Sequence, residues 1–155
     1  MSPDTDPAAR ARRTFELVEE FLPLFHKCVL PAFQPDLKES LGLSKSQARA
    51  LMMVRRKGPS TATDIGACLA MTKANLTVLV DELEEAGLVR REDDPGDRRK
   101  SLVGITDRGA AAARAIEARI EEALADRLSS LTAAESRRFE DGLASLISVL
   151  KTLQE

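Results

Sequence analysis

From Phe15 to Phe33, apolar residues recur at three- and four-residue steps along two adjoining stripes. Phe15, Val18, Leu22, Phe25, Val29 and Phe33 form one, and Leu17, Phe21, Leu24 and Cys28 the other. That spacing predicts a helix that is apolar on two faces. Pro23, Pro31 and Pro35 fall in the same stretch, and a proline in a helix interior removes a donor and clashes one turn back, so a kinked or broken helix is expected. Ser44 with Gln47 three residues on makes a capping box, and Gly58-Pro59 supplies a stop, which predicts a second helix over about 45–57. Thr61 to Asp64 repeats the capping pattern for a short third helix ending near Ala70. Thr72 caps a fourth, with Leu76, Leu79, Val80, Leu83 and Ala86 on one face and Gly87 just past its end.

After Gly87 the period changes. Leu88 to Arg91 and Lys100 to Ile105 are short β-like runs, and Asp93-Asp-Pro-Gly-Asp97 between them is dense in turn residues, so a hairpin is predicted. Thr106 then caps a long helix striped by Ile116, Ile120, Leu124 and Leu128. Thr132 with Glu135 opens a last helix carrying Phe139, Leu143, Leu146, Leu150 and Leu153. The fold class is therefore mainly α with a small β-hairpin: long amphipathic helices at both ends and a compact helical and hairpin centre, without an internal repeat.

The length of 155 residues suits about one domain, and 43% hydrophobic with 31% charged residues supports a packed core, which excludes a disordered tail. No apolar run approaches the roughly 18 to 20 residues that span a bilayer. Met1 to Arg13 is charged and proline-containing with no apolar segment behind it, so no membrane partner and a cytoplasmic location are expected. Cys28 and Cys68 stand far apart, and His26 is the only histidine, so a disulfide framework, a metal site or a bound cofactor is not expected.

The net charge of −2 decides nothing about a polyanionic partner until it is mapped along the chain. Between Ser44 and Gly109 there are 12 Lys and Arg against 10 Asp and Glu, whereas the two ends together hold 11 against 15. The middle is the basic part. All aromatics are Phe, and most fall in the first helix, where they form a hydrophobic surface and not a base-stacking platform. The third and fourth predicted helices fit a helix-turn-helix, whose second helix enters the major groove with its N-terminal residues at base edges. On the fourth, Thr72, Lys73, Asn75 and Thr77 are polar at that end. Asn can bond adenine bidentately, Lys can reach guanine or phosphate, and Thr can serve either. The helix alone leaves this reading level with an ordinary solvated helix start.

The hairpin tips the balance, because its tip carries Arg98, Arg99 and Lys100 beside Asp97, and a basic turn next to a helix-turn-helix is a wing able to place Arg in a narrow minor groove. Here the segment resembles the multiple antibiotic resistance regulator (MarR) family over about residues 41–109. The resemblance is carried by Leu43-Ser-Lys-Ser-Gln47, by Leu79-Val-Asp-Glu-Leu-Glu-Glu-Ala-Gly-Leu-Val-Arg-Arg91, and by Asp97-Arg-Arg99 followed by Ile105-Thr106, the last following a D-x-R-x5-L-T wing pattern with Ile for Leu. It implies a homodimeric winged helix-turn-helix regulator of transcription, a repressor. The DNA-binding domain would be 41–109, and 1–40 with 110–155 would form the helical dimerisation region. Its partners would be a double-stranded DNA operator and a second copy of the chain. By position, the recognition helix is about 72–86 and the wing about 88–105, with Arg99 the groove-inserted residue. Many members carry Arg after the residue matching Thr77, where this chain has Val78, so no operator sequence carries over.

Other residues are weighed against blander roles. Asp81 lies about a turn beyond the reading end, facing the wing, and is expected to hold Arg99; Asp97 is the other wing-support residue. Glu82, Glu84 and Glu85 read as a solvated face. Phe25, His26, Val29, Arg49, Met52 and Met53 are the candidate effector lining, because the first and second helices should meet there and cationic, aromatic and thioether groups together suit a small aromatic carboxylate or phenol. A packed or surface histidine and core methionines are the defaults. Cys28 would be a peroxide sensor only with access and a lowered pKa, and both thiols are expected to be buried, with Cys68 packed on the fourth helix. Two other functions compete: a winged helix that docks protein, which should present apolar residues where Thr72, Lys73, Asn75 and Thr77 stand, and a small hydrolase, for which no nucleophile, base and orienter are apparent.

Overall fold

The computed structural model describes residues 6–97 and 99–153. Contacts divide the chain into two compact units, one made of the chain up to Phe33 together with Glu121 onward, the other of Gln34–Ile120. The second unit reaches beyond the winged-helix segment at both ends, because Leu37 ahead of it and Ala113 and Ile116 after it are buried in its core.

Unit 34–120 opens with a four-residue helix, α2 (Lys38–Leu41), which is too short for periodicity to signal. Next comes α3 (Lys45–Lys57). Ser44 Oγ accepts from Gln47 N at 3.2 Å while Gln47 Oε1 accepts from Ser44 N at 2.8 Å, the reciprocal cap its spacing predicts. A two-residue strand, β1 (Ser60–Thr61), leads into α4 (Ala62–Leu69), α5 (Lys73–Glu85), β2 (Val89–Asp93), β3 (Ser101–Ile105) and α6 (Asp107–Leu128). The sheet is antiparallel in the order β1-β3-β2, with Ser60 opposite Val103 and Val89 opposite Ile105. The hairpin is thus as predicted, while β1 is an addition that pins the inner wing strand to the start of α4.

Leu51, Val54, Ile65, Leu76, Val80, Leu83 and Val89 fill the core of this unit. α4 and α5 approach closely: a Cβ on Gly66 would lie 2.9 Å from Leu76 Cδ2. The turn between them puts Ala70 in the left-handed region at φ 53°. α6 starts against the wing. Thr106 Oγ1 donates to the Gly87 carbonyl at 2.7 Å and accepts from Gly109 N at 3.0 Å, and a Cβ on Gly109 would sit 1.9 Å from the Leu88 carbonyl oxygen. That close approach requires glycine.

The other unit contains α1 (Pro7–Cys28), a 3-10 turn (Leu30–Phe33), the end of α6 and α7 (Ala133–Thr152). Asp6 caps α1 with Pro7 at its first position. The expected break falls at one place: α1 runs as one helix through Pro23 and ends at Cys28, ahead of Pro31. Pro23 is exposed, so solvent can satisfy the carbonyl it leaves unpaired, whereas at Pro31 the missing N–H coincides with the change to a 3-10 turn. Arg127 Nη1 donates to the Cys28 carbonyl at 3.4 Å, at the helix end. The Thr132 and Glu135 capping box opens α7 as predicted. Neither α1 nor α7 has a buried residue among those described. Phe15, Leu17, Leu22 and Leu24 on α1 and Ile147, Val149, Leu150 and Leu153 on α7 all remain exposed.

Candidate nucleic-acid interface

Thr72 lies just outside α5 in extended conformation, and its Oγ1 accepts from Asn75 N at 3.4 Å, so this hydroxyl serves first as the helix cap. Lys73, Asn75 and Thr77 follow on the exposed side, with no acidic residue in the first turn. Thr77 is exposed, and its Oγ1 donates to the Lys73 carbonyl at 3.0 Å, which commits its hydroxyl hydrogen and keeps the oxygen's acceptor capacity. Leu76, Leu79, Val80 and Leu83 hold the opposite face in the core.

The wing is ordered at its base and held at its tip by two aspartates. Asp94 Oδ1 accepts from Gly96 N at 2.8 Å and Asp97 Oδ1 from Arg99 N at 3.1 Å, while the Lys100 N–H donates to the Asp97 carbonyl at 2.8 Å. Asp97 therefore shapes the turn through backbone contacts, and its other carboxylate oxygen lies 3.9 Å from Lys100 Nζ. Arg99 and Lys100 are exposed; Arg98 lies outside the described residues.

Asp81 does face the wing, but its partner is Arg91 on β2 and not Arg99. Arg91 Nη2 donates to Asp81 Oδ1 at 2.5 Å, and Arg91 Nη1 donates to Glu84. The Asp81 hydrogen bond leads in raising the Arg91 pKa, with the Glu84 charge adding to it and desolvation opposing. Arg91 is thus occupied by two carboxylates of α5. Glu82 is also engaged, accepting from Gln47 Nε2 at 2.9 Å. These pairings concentrate the cationic and neutral donors at the N-terminal half of α5 and leave its C-terminal half acidic, so only the first half suits a polyanion. Sequence spacing gave no signal for Arg91, since ten residues separate it from Asp81 on a different element.

The cysteine expectation is corrected as well: Cys28 and Cys68 are both exposed. No residue of α1 is buried among those described, and Cys68 lies off the Ile65, Gly66 and Leu69 face by which α4 packs. Of the candidate effector residues, Phe25, His26 and Val29 belong to one unit and Arg49, Met52 and Met53 to the other. Phe25 is half-buried and stacks on Phe21 with ring centroids 5.3 Å apart; His26 and Arg49 are exposed. Met53 is part of the core and Met52 packs at its margin. Among the described residues no group of His, Cys, Asp and Glu is arranged to hold a metal ion, and no helix is long and apolar enough to cross a membrane.

Residues 41–100, which hold α3, the helix pair and most of the wing, match the model of the MarR family. Over these residues the chain is similar to the MarR family. The fold agrees: a MarR family protein from Bacillus stearothermophilus superposes with a TM-score of 0.74 at 21% identity, over 90% of this chain and 97% of that one. Among curated relatives, the uncharacterized helix-turn-helix transcriptional regulator YcgE of Bacillus subtilis is 35% identical over 71 residues, 46% of each chain. The transcriptional repressor NicR of Pseudomonas putida is 36% identical over 69 residues, 44% of each. The chain thus spans about half the length of the curated relatives it matches, and the MarR resemblance is concentrated in the winged helix.

Proposed function

We propose that this protein is a sequence-specific double-stranded-DNA-binding regulator of transcription that acts in the cytoplasm as a homodimeric repressor and is released by a small-molecule effector. One observation carries the DNA-binding half: an exposed, capped α5 start bearing Lys73, Asn75 and Thr77, with no acidic residue in its first turn, in the same unit as a wing tip bearing Arg99 and Lys100. The relatives named as transcriptional regulators, one of them a repressor, support the same reading. The test is titration of the protein against the intergenic duplex beside its own gene and against a scrambled duplex, at several salt concentrations. A pseudo-palindromic site with half-sites about one helical turn, ~34 Å, apart is expected. Equal affinity for both duplexes would remove sequence specificity.

The homodimer rests on the apolar residues that α1 and α7 leave exposed, since contiguous patches of that kind mark association surfaces. The effector half is tested at two exposed candidates, His26 and Arg49. His26→Ala and Arg49→Ala are expected to keep DNA binding and to lose release by benzoate or phenol, a differential affinity for two states being what any effector must supply. The exposure of Cys28 favours one second reading, thiol-based sensing. Loss of peroxide response in Cys28→Ser, with the His26 and Arg49 variants responding normally, would install it in place of ligand release.

A further inference from the structure

We propose that Ala74 and Val78 read the C5-methyl groups of thymine in the major groove, so that base preference is set by methyl contact as well as by hydrogen bonding. The inference rests on the DNA-binding reading and specifies what that surface recognises. The buried residues of α5 fix its inward face, and at about 100° per residue the direction opposite them falls on Ala74 and Val78, with Thr77 on one flank and Asn75 on the other. Val78 is 57% exposed. Every other large apolar residue that is exposed among those described lies in the other unit, on α1, the 3-10 turn or α7, so within 34–120 this one stands apart.

Local folding does not call for it. A β-branched residue at an exposed helix position loses side-chain freedom that Lys or Glu would keep and that Ala does not have to lose. On its N-terminal side stand Lys73, Asn75 and Thr77, the polar set suited to base edges and phosphates, while Asp81 and Glu82 follow one turn on; the C5-methyl of thymine is the one apolar group that a base pair offers in the major groove. Ala74 and Val78 are separated by about 6 Å along the helix axis. With base pairs stepping by ~3.4 Å, the methyls they meet would lie one or two base pairs apart.

The experiment selects a duplex from a random library with the wild-type protein, then replaces each thymine singly with deoxyuridine, which removes the methyl and keeps both hydrogen-bonding edges. Wild type is expected to lose about threefold to tenfold in affinity at one or two positions per half-site, the scale of one lost methyl contact. Val78→Ala should bind the thymine and deoxyuridine duplexes alike at one of those positions, with its thermal melt and salt slope unchanged, since Val78 is exposed and uncharged. Indifference of the wild type to every deoxyuridine, or a Val78→Ala protein that keeps the full thymine preference, would overturn the inference while leaving DNA binding intact. Failure to select any duplex, with no salt-dependent binding to DNA, would overturn the DNA-binding reading and this inference with it, and Val78 would then mark a protein-docking face.

Discussion

Arg91 on β2 donates one guanidinium nitrogen to Asp81 Oδ1 at 2.5 Å and the other to Glu84, so a single cation of the wing holds two carboxylates of α5. The Arg91 backbone N–H also donates to Glu84, at 3.1 Å. The wing base and the recognition-helix candidate are thereby fixed to each other. The same contact masks negative charge beside the surface proposed to meet DNA.

Arg91→Ala should therefore weaken DNA binding more than it weakens the fold. The pair is partly solvent-exposed, so its loss should change stability by no more than ~1 kcal/mol. Two unmasked carboxylates near the phosphates should lower affinity on the order of tenfold at low salt, with the deficit shrinking as salt rises. A base with a raised folded pKa stabilises the fold at every pH below its unfolded value and loses that only as pH climbs through the folded one, so Arg91 should contribute no pH dependence between about pH 6 and 9. Unchanged affinity in a melt-neutral variant would remove the masking role.

Arg99→Ala and Asn75→Ala should fail differently. The wing variant should bind all duplexes more weakly and flatten the salt dependence by roughly one charge. The helix variant should lose discrimination at particular base pairs, by about 1–3 kcal/mol if the contact is bidentate. A uniform loss in Asn75→Ala would mean that this residue only positions the backbone.

For assembly, sedimentation at micromolar concentration should give a dimer, and Leu146→Glu with Leu150→Glu should give monomer or aggregate, because both leucines are exposed in the single chain. A well-folded wild-type monomer at that concentration would sink the proposal.

Gly109→Ala should cost about 3 kcal/mol or more, read as a lowered melting temperature, since its Cβ would lie 1.9 Å from the Leu88 carbonyl and backbone must move. The same substitution at Gly142 has open space around it and should be neutral or slightly stabilising, as expected for Gly→Ala inside a helix. Similar melting temperatures for the two variants would contradict the close approach.

Glu135 should titrate below the ordinary glutamate range, because the Thr132 backbone N–H and then its hydroxyl hydrogen-bond the charged carboxylate. A depressed acid contributes above its unfolded pKa and loses that contribution as pH falls through the folded value, so the α7 cap should weaken only on acidification below the ordinary glutamate range. Carboxyl NMR titration checks this, and Thr132→Ala, which removes the hydroxyl and keeps the backbone N–H, should bring Glu135 only part of the way back to the ordinary range.

The cap of each helix from α3 to α7 was legible because its chemistry is local: Ser44 meets Gln47, Thr61 meets Asp64, Thr72 meets the Asn75 N–H, Thr106 meets the Gly109 N–H and Thr132 meets Glu135, three residues apart in every case. The hairpin was legible for the same reason, its turn residues standing between two short β-like runs. The sequence alone thus determined the longer helices, the hairpin and which end of α5 is polar, but neither α2 nor β1. Tertiary structure alone decided which charges are spent and which side chains are left over. Asp81 pairs with Arg91 and not with Arg99, β1 joins the distant β3 by pairing Ser60 with Val103 and Thr61 with Leu102, and Gly109 must admit the Leu88 carbonyl. It also sets Val78 outward at the centre of a polar face and leaves both thiols accessible. Such contacts join elements distant in the chain, and a helical or strand period fixes only the direction of a side chain from its own axis, not what packing brings to meet it.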